Sequence, residues 1–169
     1  MKYTSSEANK LLRKLNSDYQ TLLSTEIQSR TFLAATGEDP ESVRPAYDYA
    51  KSQEELKAVA KKIRIVKHAI NVFNTTTKLE GFDMTIDEML VALPQISERV
   101  RTLDSMRTVL PKVRERTYGT GTNATIDYRY VNYDIEAAAK DYEAMYAYLT
   151  KAQTALDKVN NSVLIDIEI

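Results

Sequence analysis

Arginine and tyrosine side chains are concentrated in RTYGTGTNATIDYRYVNYD, residues 116 to 134 of the sequence. Guanidinium groups donate charge-assisted hydrogen bonds to phosphate or carboxylate, and tyrosine rings offer flat faces on which a base can stack. The pattern predicts a site for a small anionic, nucleotide-like ligand that is bound without chemical conversion. The expected ligand-binding residues are Arg114, Arg116, Tyr118, Thr120, Thr122, Asn123, Tyr128, Arg129, Tyr130, Asn74 and Thr76.

Two other interpretations of this segment leave no ligand site. The glycines in TYGTGTN, residues 117 to 123, resemble those of phosphate-binding loops, in which backbone amides approach an anion. The stretch lacks the Gly-Lys-Ser/Thr ending of such loops and leads into a predicted strand, so a plain hairpin loop is one alternative. In the second alternative, the hairpin lies across the helices, the tyrosines are packing residues at that contact, and the arginines pair with acids of the last helix.

No residue is predicted to be catalytic or to bind a metal. His68 is the only histidine and the sequence has no cysteine, so sites that need a set of such side chains cannot be assembled. The Glu-x-x-His pattern of di-iron helix bundles is also missing. We therefore expect His68 to be a structural or surface residue, and the protein to be a non-enzyme with no cofactor.

The composition favours a helical globular protein. The hydrophobic share is 43%, the charged share is 28%, and there are only four glycines and four prolines. The sequence has no cysteine, which suits a reducing compartment, and no apolar run as long as a signal peptide or a membrane span. We therefore expect a cytoplasmic protein with no membrane partner. The whole chain has a formal charge of −1, and residues 99 to 116 hold six basic and two acidic side chains. Because this basic stretch is small and the protein is nearly neutral, nucleic acid is not an expected partner.

Apolar periodicity predicts a mainly all-α fold, with a single helical domain over residues 1 to 169 that forms an antiparallel bundle of long helices. Capping-box spacings at Thr4, Ser52 and Thr85 predict helix starts. Pro94 and Pro111 predict a kink at one of the two prolines and a break near the other. The expected elements are a helical hairpin at about 5 to 78, a kinked helix at about 85 to 115, a small β-hairpin at about 117 to 133, a long helix at about 134 to 162, and a C-terminal strand at 164 to 169.

The last helix carries an apolar heptad seam, which is typical of a coiled coil and calls for a partner helix. We expect a second copy of the chain to supply that helix, so that the protein is a homo-oligomer. The C-terminal LIDIEI alternates like a strand, and its expected pairing partner is residues 125 to 131 of the same subunit or a neighbour. The seam residues are Ile135, Ala138, Tyr142, Met145, Leu149, Ala152, Leu156, Val159 and Val163.

Five stretches resemble a family of small bacterial and phage helical proteins, some of whose members carry the label septicolysin. They are EDPESV, AINVFNTTTKL, TIDEML, IDYRYVNYDIE and LDKVN, and the resemblance spans roughly residues 38 to 161. It implies long helical hairpins with a small β element between the last two helices. In a phage setting, the predicted ligand site would make the protein a sponge for a host signalling nucleotide.

Two further functions stand beside this one. A purely structural or protein-interaction coiled coil would use the hairpin only to cap the bundle. A membrane-active toxin is implied by the septicolysin label, although the sequence offers neither an export signal nor an inserting segment.

Overall fold

The computed structural model describes residues 1–115 and 127–169. Over these ranges the fold is mainly helical with short antiparallel strands, as predicted. The described residues divide into two compact units, Met1–Thr77 with Asp157–Ile169, and Lys78–Leu156. The elements are β1 (Lys2–Thr4), α1 (Ser5–Ser29), α2 (Pro40–Val43), α3 (Tyr49–Thr76), α4 (Ile86–Arg107), β2 (Lys112–Arg114), β3 (Tyr128–Tyr130), α5 (Ile135–Ser162) and β4 (Leu164–Asp166).

The predicted capping boxes at Thr4 and Thr85 are present, whereas the one predicted at Ser52 is wrong, because α3 begins earlier, at Tyr49, with Asp48 as its N-cap. The Thr4 N–H donates to the Glu7 carboxylate at 2.8 Å, and the Thr85 N–H donates to Glu88 at 2.7 Å. These backbone hydrogen bonds, with those from the threonine hydroxyls, hold the pKa of Glu7 and of Glu88 below the ordinary value. Each box satisfies helix-terminal amides, so α1 and α4 begin where the sequence predicts.

The first unit is built on helices α1 and α3, which pack along one another. Their directions are antiparallel, because Gln53 near the start of α3 donates to Glu26 near the end of α1 at 2.6 Å. Apolar side chains spaced by three and four residues supply the buried face of each helix. The buried apolar residues of the two helices are Ala8, Leu15, Leu56, Val66, Ile70 and Phe73.

The C-terminal strand pairs with the N-terminal strand, so the predicted pairing with residues 125 to 131 of the same subunit is wrong, whereas pairing with a neighbouring copy stays a prediction. Strand β4 lies antiparallel to β1, with Tyr3 opposite Ile165, and the Ile167 N–H continues the ladder to the Met1 carbonyl at 2.8 Å. Ile165 and Ile167 are buried, so the alternation in LIDIEI does mark a one-sided strand. The three residues of β1 are too few to show a strand period in the sequence.

In the second unit, α4 ends earlier than the predicted kinked helix at 85 to 115. It continues through Pro94 but stops at Arg107, and Lys112–Arg114 is a strand. Pro111 explains the stop, because proline has no N–H to donate and disfavours helical geometry in the residue before it. Met89 and Leu103 of α4 are buried in the core of this unit.

Candidate functional site

A two-stranded ribbon of β2 and β3 follows α4. Lys112 lies opposite Tyr130, Val113 opposite Arg129, and Arg114 opposite Tyr128. Residues that face each other across an antiparallel pair project to the same side, and successive residues alternate between sides. Two basic and two aromatic residues therefore share one side, which we call the ribbon face: Lys112, Arg114, Tyr128 and Tyr130.

Hydrogen bonds at both ends of the strands fix this register. The Val131 N–H donates to the Pro111 carbonyl at 3.1 Å, and the Glu115 N–H donates to the Asp127 carbonyl at 2.9 Å. The Tyr133 hydroxyl donates to the carbonyl of Met106 in the last turn of α4 at 2.7 Å. The ribbon is thus tied to the C-terminal end of α4.

On the ribbon face, the Lys112 ammonium already interacts with the rings of Tyr128 and Tyr130. The Lys112 ammonium lies 4.0 Å from the Tyr128 ring centroid and 5.3 Å from that of Tyr130, within cation–π range of both. The two ring centroids are 6.5 Å apart. Tyr128 is 45% exposed and Tyr130 is 62% exposed, so both rings keep area that a flat ligand can cover.

The two described arginines of the predicted site lie on opposite sides of the ribbon. Arg114 is on the ribbon face, exposed, and without an ion-pair partner among the residues that the structure describes. Arg129 is on the other side, where its guanidinium pairs with the carboxylate of Glu115. The register therefore places Arg129 on the side of the ribbon away from Tyr128 and Tyr130. The carboxylate that pairs with Arg129 belongs to Glu115, directly after β2, and not to the last helix.

The remaining predicted residues fall into two groups. Asn74 and Thr76 lie at the end of α3, in the other unit. The Thr76 hydroxyl already donates to the Val72 carbonyl at 2.7 Å. Five predicted ligand-binding residues lie outside the described ranges: Arg116, Tyr118, Thr120, Thr122 and Asn123.

Lys112 belongs to the ribbon face but is not among the ligand-binding residues expected from the sequence. A helix over 85 to 115, as the periodicity predicts, gives the Lys112 side chain no relation to the tyrosines. Two signals together identify it: Pro111 as a helix stop, and Lys112-Val113-Arg114 as a short alternating strand that can face Tyr128-Arg129-Tyr130.

A second surface of the same unit is a groove of about 600 Å³, which we call the α4–α5 groove after the helices that supply most of its lining. Met145 of the predicted heptad seam is among its residues and is only half-buried. Two charged side chains of opposite sign, Arg99 and Asp141, line it as well, and neither pairs with an opposite charge within the described residues. The apolar and aromatic lining residues are Met84, Ala92, Ile96, Leu103, Ala144, Met145 and Tyr148.

Comparisons with known proteins show the fold and leave the function open. No family model matches the chain, and no curated protein matches it. A conserved protein of unknown function from Corynebacterium diphtheriae has a similar solved structure, with a TM-score of 0.58 and 14% sequence identity. The similarity covers 98% of this chain and 100% of that chain. At this identity it indicates a shared fold and nothing about activity.

Over residues 1–115 and 127–169, no helix has the length and apolar character needed to cross a membrane. Within the same ranges, no group of three or more His, Cys, Asp or Glu side chains is placed to hold a metal ion.

Proposed function

We propose that the protein binds a small anionic ligand that carries an aromatic base, such as a nucleotide, on the ribbon face and holds it without chemical change. The observation that carries the proposal is the side-by-side placement of two cations and two exposed tyrosine rings on one side of the ribbon. The phosphate of such a ligand contacts Arg114 and Lys112, and the base stacks on a tyrosine ring.

The ribbon face alone leaves a bound ligand largely in water. Small-molecule sites generally bury most of their ligand, and a two-stranded ribbon covers only one side. We propose that a second copy of the chain covers the other side, which makes the protein a homo-oligomeric binding protein. A protein of this kind sequesters its nucleotide in the cytoplasm, that of the host cell if a phage encodes it.

Protein purified from cells should retain the ligand. Native mass spectrometry is expected to show oligomers with a bound mass that is lost on denaturation and that has the ultraviolet absorbance of a nucleobase. Added at 100 times its Kd, the matching nucleotide should stabilise the fold by about 2.7 kcal/mol, and it should be recovered unchanged. A protein with no bound mass, and no thermal shift with linear or cyclic nucleotides, would contradict the proposal.

A second candidate function, a structural or protein-interaction module, is favoured by the α4–α5 groove. The groove is lined mainly by apolar side chains and contains charges of both signs, Arg99 and Asp141, that pair with no opposite charge among the described residues. In a two-fold symmetric dimer the same surface is used twice, so Arg99 of each copy can meet Asp141 of the other. The groove is therefore complementary to itself in charge as well as in apolar character.

A charge-swap experiment tests this dimer. Arg99→Glu or Asp141→Arg alone places like charges together twice across the interface and should raise the dimer Kd about 100-fold or more, since facing like charges cost several kcal/mol. The double variant Arg99→Glu/Asp141→Arg should restore association. Sedimentation equilibrium at several concentrations measures both effects.

Arg101→Glu is the matched control for the swap. Arg101 is exposed, lies two positions along the same helix, and already pairs with Glu98. Because residues two apart project from different faces of a helix, this change should leave the dimer Kd within about threefold. Wild-type protein that stays monomeric, or a double variant as weak as the single ones, would rule out this interface.

A further inference from the structure

Helix α3 has an unusual distribution of charge along its length. From residue 56 to its end at Thr76 it contains no aspartate or glutamate. The same stretch contains five lysine or arginine residues and the only histidine. A solvated helix usually mixes both signs of charge, so this part of α3 differs from an ordinary exposed face. The basic residues are Lys57, Lys61, Lys62, Arg64, Lys67 and His68.

Four of these residues form a row on one side of the helix. Lys57, Lys61, Arg64 and His68 are separated by four, three and four positions, which is the spacing of one helical face. We call this row the α3 stripe, and at 1.5 Å per residue it is about 16 Å long. All four side chains are exposed, as is Lys67 beside them.

The stripe faces away from the packed side of α3. The buried residues Leu56, Val66, Ile70 and Phe73 are separated by ten, four and three positions, which places them together on the opposite side. Helix α1 is the helix that packs along α3. The stripe is therefore free of any role in the core of this unit.

No described carboxylate neutralises the stripe. Within residues 1–115 and 127–169, none of its members makes an ion pair. The nearest acids along the helix are Glu54 and Glu55, and the Glu55 carboxylate already lies 4.0 Å from the Lys51 ammonium. Like charges four positions apart destabilise a helix by about 0.2–0.5 kcal/mol per pair, a cost that an anion laid over the row would remove.

We propose that the α3 stripe binds the phosphate backbone of a nucleic acid, independently of the ribbon face. A straight row of like charges fits a polymer with regularly repeated charges of the opposite sign. The stripe has no aromatic side chain for stacking on bases, so the contact reads the backbone and not the sequence. The small basic excess of residues 99 to 116 predicts no nucleic-acid partner. The proposal differs from that expectation because it rests on the basic residues of α3 and not on residues 99 to 116.

Two other anionic partners fit the stripe less well. Helices that lie on membranes bind by inserting an apolar face, whereas the apolar face of α3 is occupied by packing within its own unit. Protein partners are usually held by buried aromatic or aliphatic anchors, and the stripe offers only solvated charges.

The test compares two triple variants of the full-length protein that change the net charge equally. Lys57→Gln/Lys61→Gln/Arg64→Gln neutralises the stripe. Lys10→Gln/Arg13→Gln/Lys14→Gln removes two lysines and one arginine from exposed positions of α1, in the same unit. Fluorescence anisotropy with a labelled random-sequence duplex and a single strand, from low to physiological salt, measures affinity and its salt dependence.

Wild-type protein should bind nucleic acid of unrelated sequences with similar affinity, which weakens steeply as salt rises. The stripe variant should lose at least tenfold in affinity at low salt. Its slope of log K against log salt should fall by roughly 2.7 for a duplex, about 0.9 for each lost phosphate contact. The α1 variant should retain most of the affinity and slope.

Three outcomes would overturn the proposal. The first is no binding by wild-type protein at low salt, and the second is an equal loss in both triple variants, which would mean attraction by net charge alone. The third is binding to vesicles with anionic lipid but not to either nucleic acid, which would assign the stripe to a membrane surface. Circular dichroism of each variant shows whether the helices are retained.

Discussion

Reversing both cations of the ribbon face, in Lys112→Glu/Arg114→Glu, is expected to weaken binding of the retained nucleotide by at least about 100-fold. A hydrogen bond to a charged group contributes about 1.5–3 kcal/mol, and each 1.4 kcal/mol corresponds to a factor of ten in Kd. Loss of two such contacts therefore removes two or more orders of magnitude, and the new carboxylates repel the phosphate in addition. Isothermal titration calorimetry with the ligand identified by mass spectrometry measures the change.

Arg129→Glu is the matched control for this reversal. Arg129 belongs to the same ribbon and is equally a surface cation, but it lies on the other side and pairs with Glu115. Exposed ion pairs contribute about 0–1 kcal/mol, so stability should change little, and affinity should stay within roughly threefold. Arg129→Glu changes the net charge by half as much as the double reversal, so a loss of half as many orders of magnitude in affinity would mean that general charge, and not the ribbon face, holds the ligand.

Binding that survives the double reversal would have the opposite meaning. The ligand would then be held elsewhere, and the cation–π contacts of Lys112 with Tyr128 and Tyr130 would serve only the packing of the ribbon. The two variants together thus distinguish a ribbon-face site, a nonspecific charge effect and a site elsewhere.

Features that depend on neighbours in sequence could be predicted. A capping box needs only a threonine and a glutamate three residues later, so Thr4 and Thr85 identified two helix starts without any tertiary information. The alternation around Tyr128, Arg129 and Tyr130 likewise predicted a strand with the tyrosines on one side.

Features that depend on distant partners could not be predicted. A strand period shows that LIDIEI needs a neighbour, but it does not show that the neighbour is Lys2–Thr4 at the other end of the chain. The ion pair between Arg129 and Glu115 depends on the register of β2 against β3. The α3 stripe is a different case. Its sequence without acidic residues can be read directly, and only its exposure and its lack of ion pairs with the described residues required the structure.

The terminal sheet yields the prediction with the largest expected effect on stability. Ile167 is 1% exposed, and its N–H donates to the Met1 carbonyl at 2.8 Å. Ile167→Ala removes buried methyl groups and leaves a cavity, which typically costs 2–5 kcal/mol of the free energy of unfolding. In a protein of this size that corresponds to a fall in Tm of roughly 5–15 °C, measured by differential scanning calorimetry.

Ile169→Ala provides a control of the same chemistry at the same end of the chain. Ile169 is 42% exposed, so truncating it removes much less apolar area from a buried environment. Its Tm should fall by no more than about 2 °C, since surface substitutions usually change stability by less than about 0.5 kcal/mol. Equal effects of the two substitutions would mean that Ile167 is not packed as described, and that the closure of the first unit by β1 and β4 contributes little to its stability.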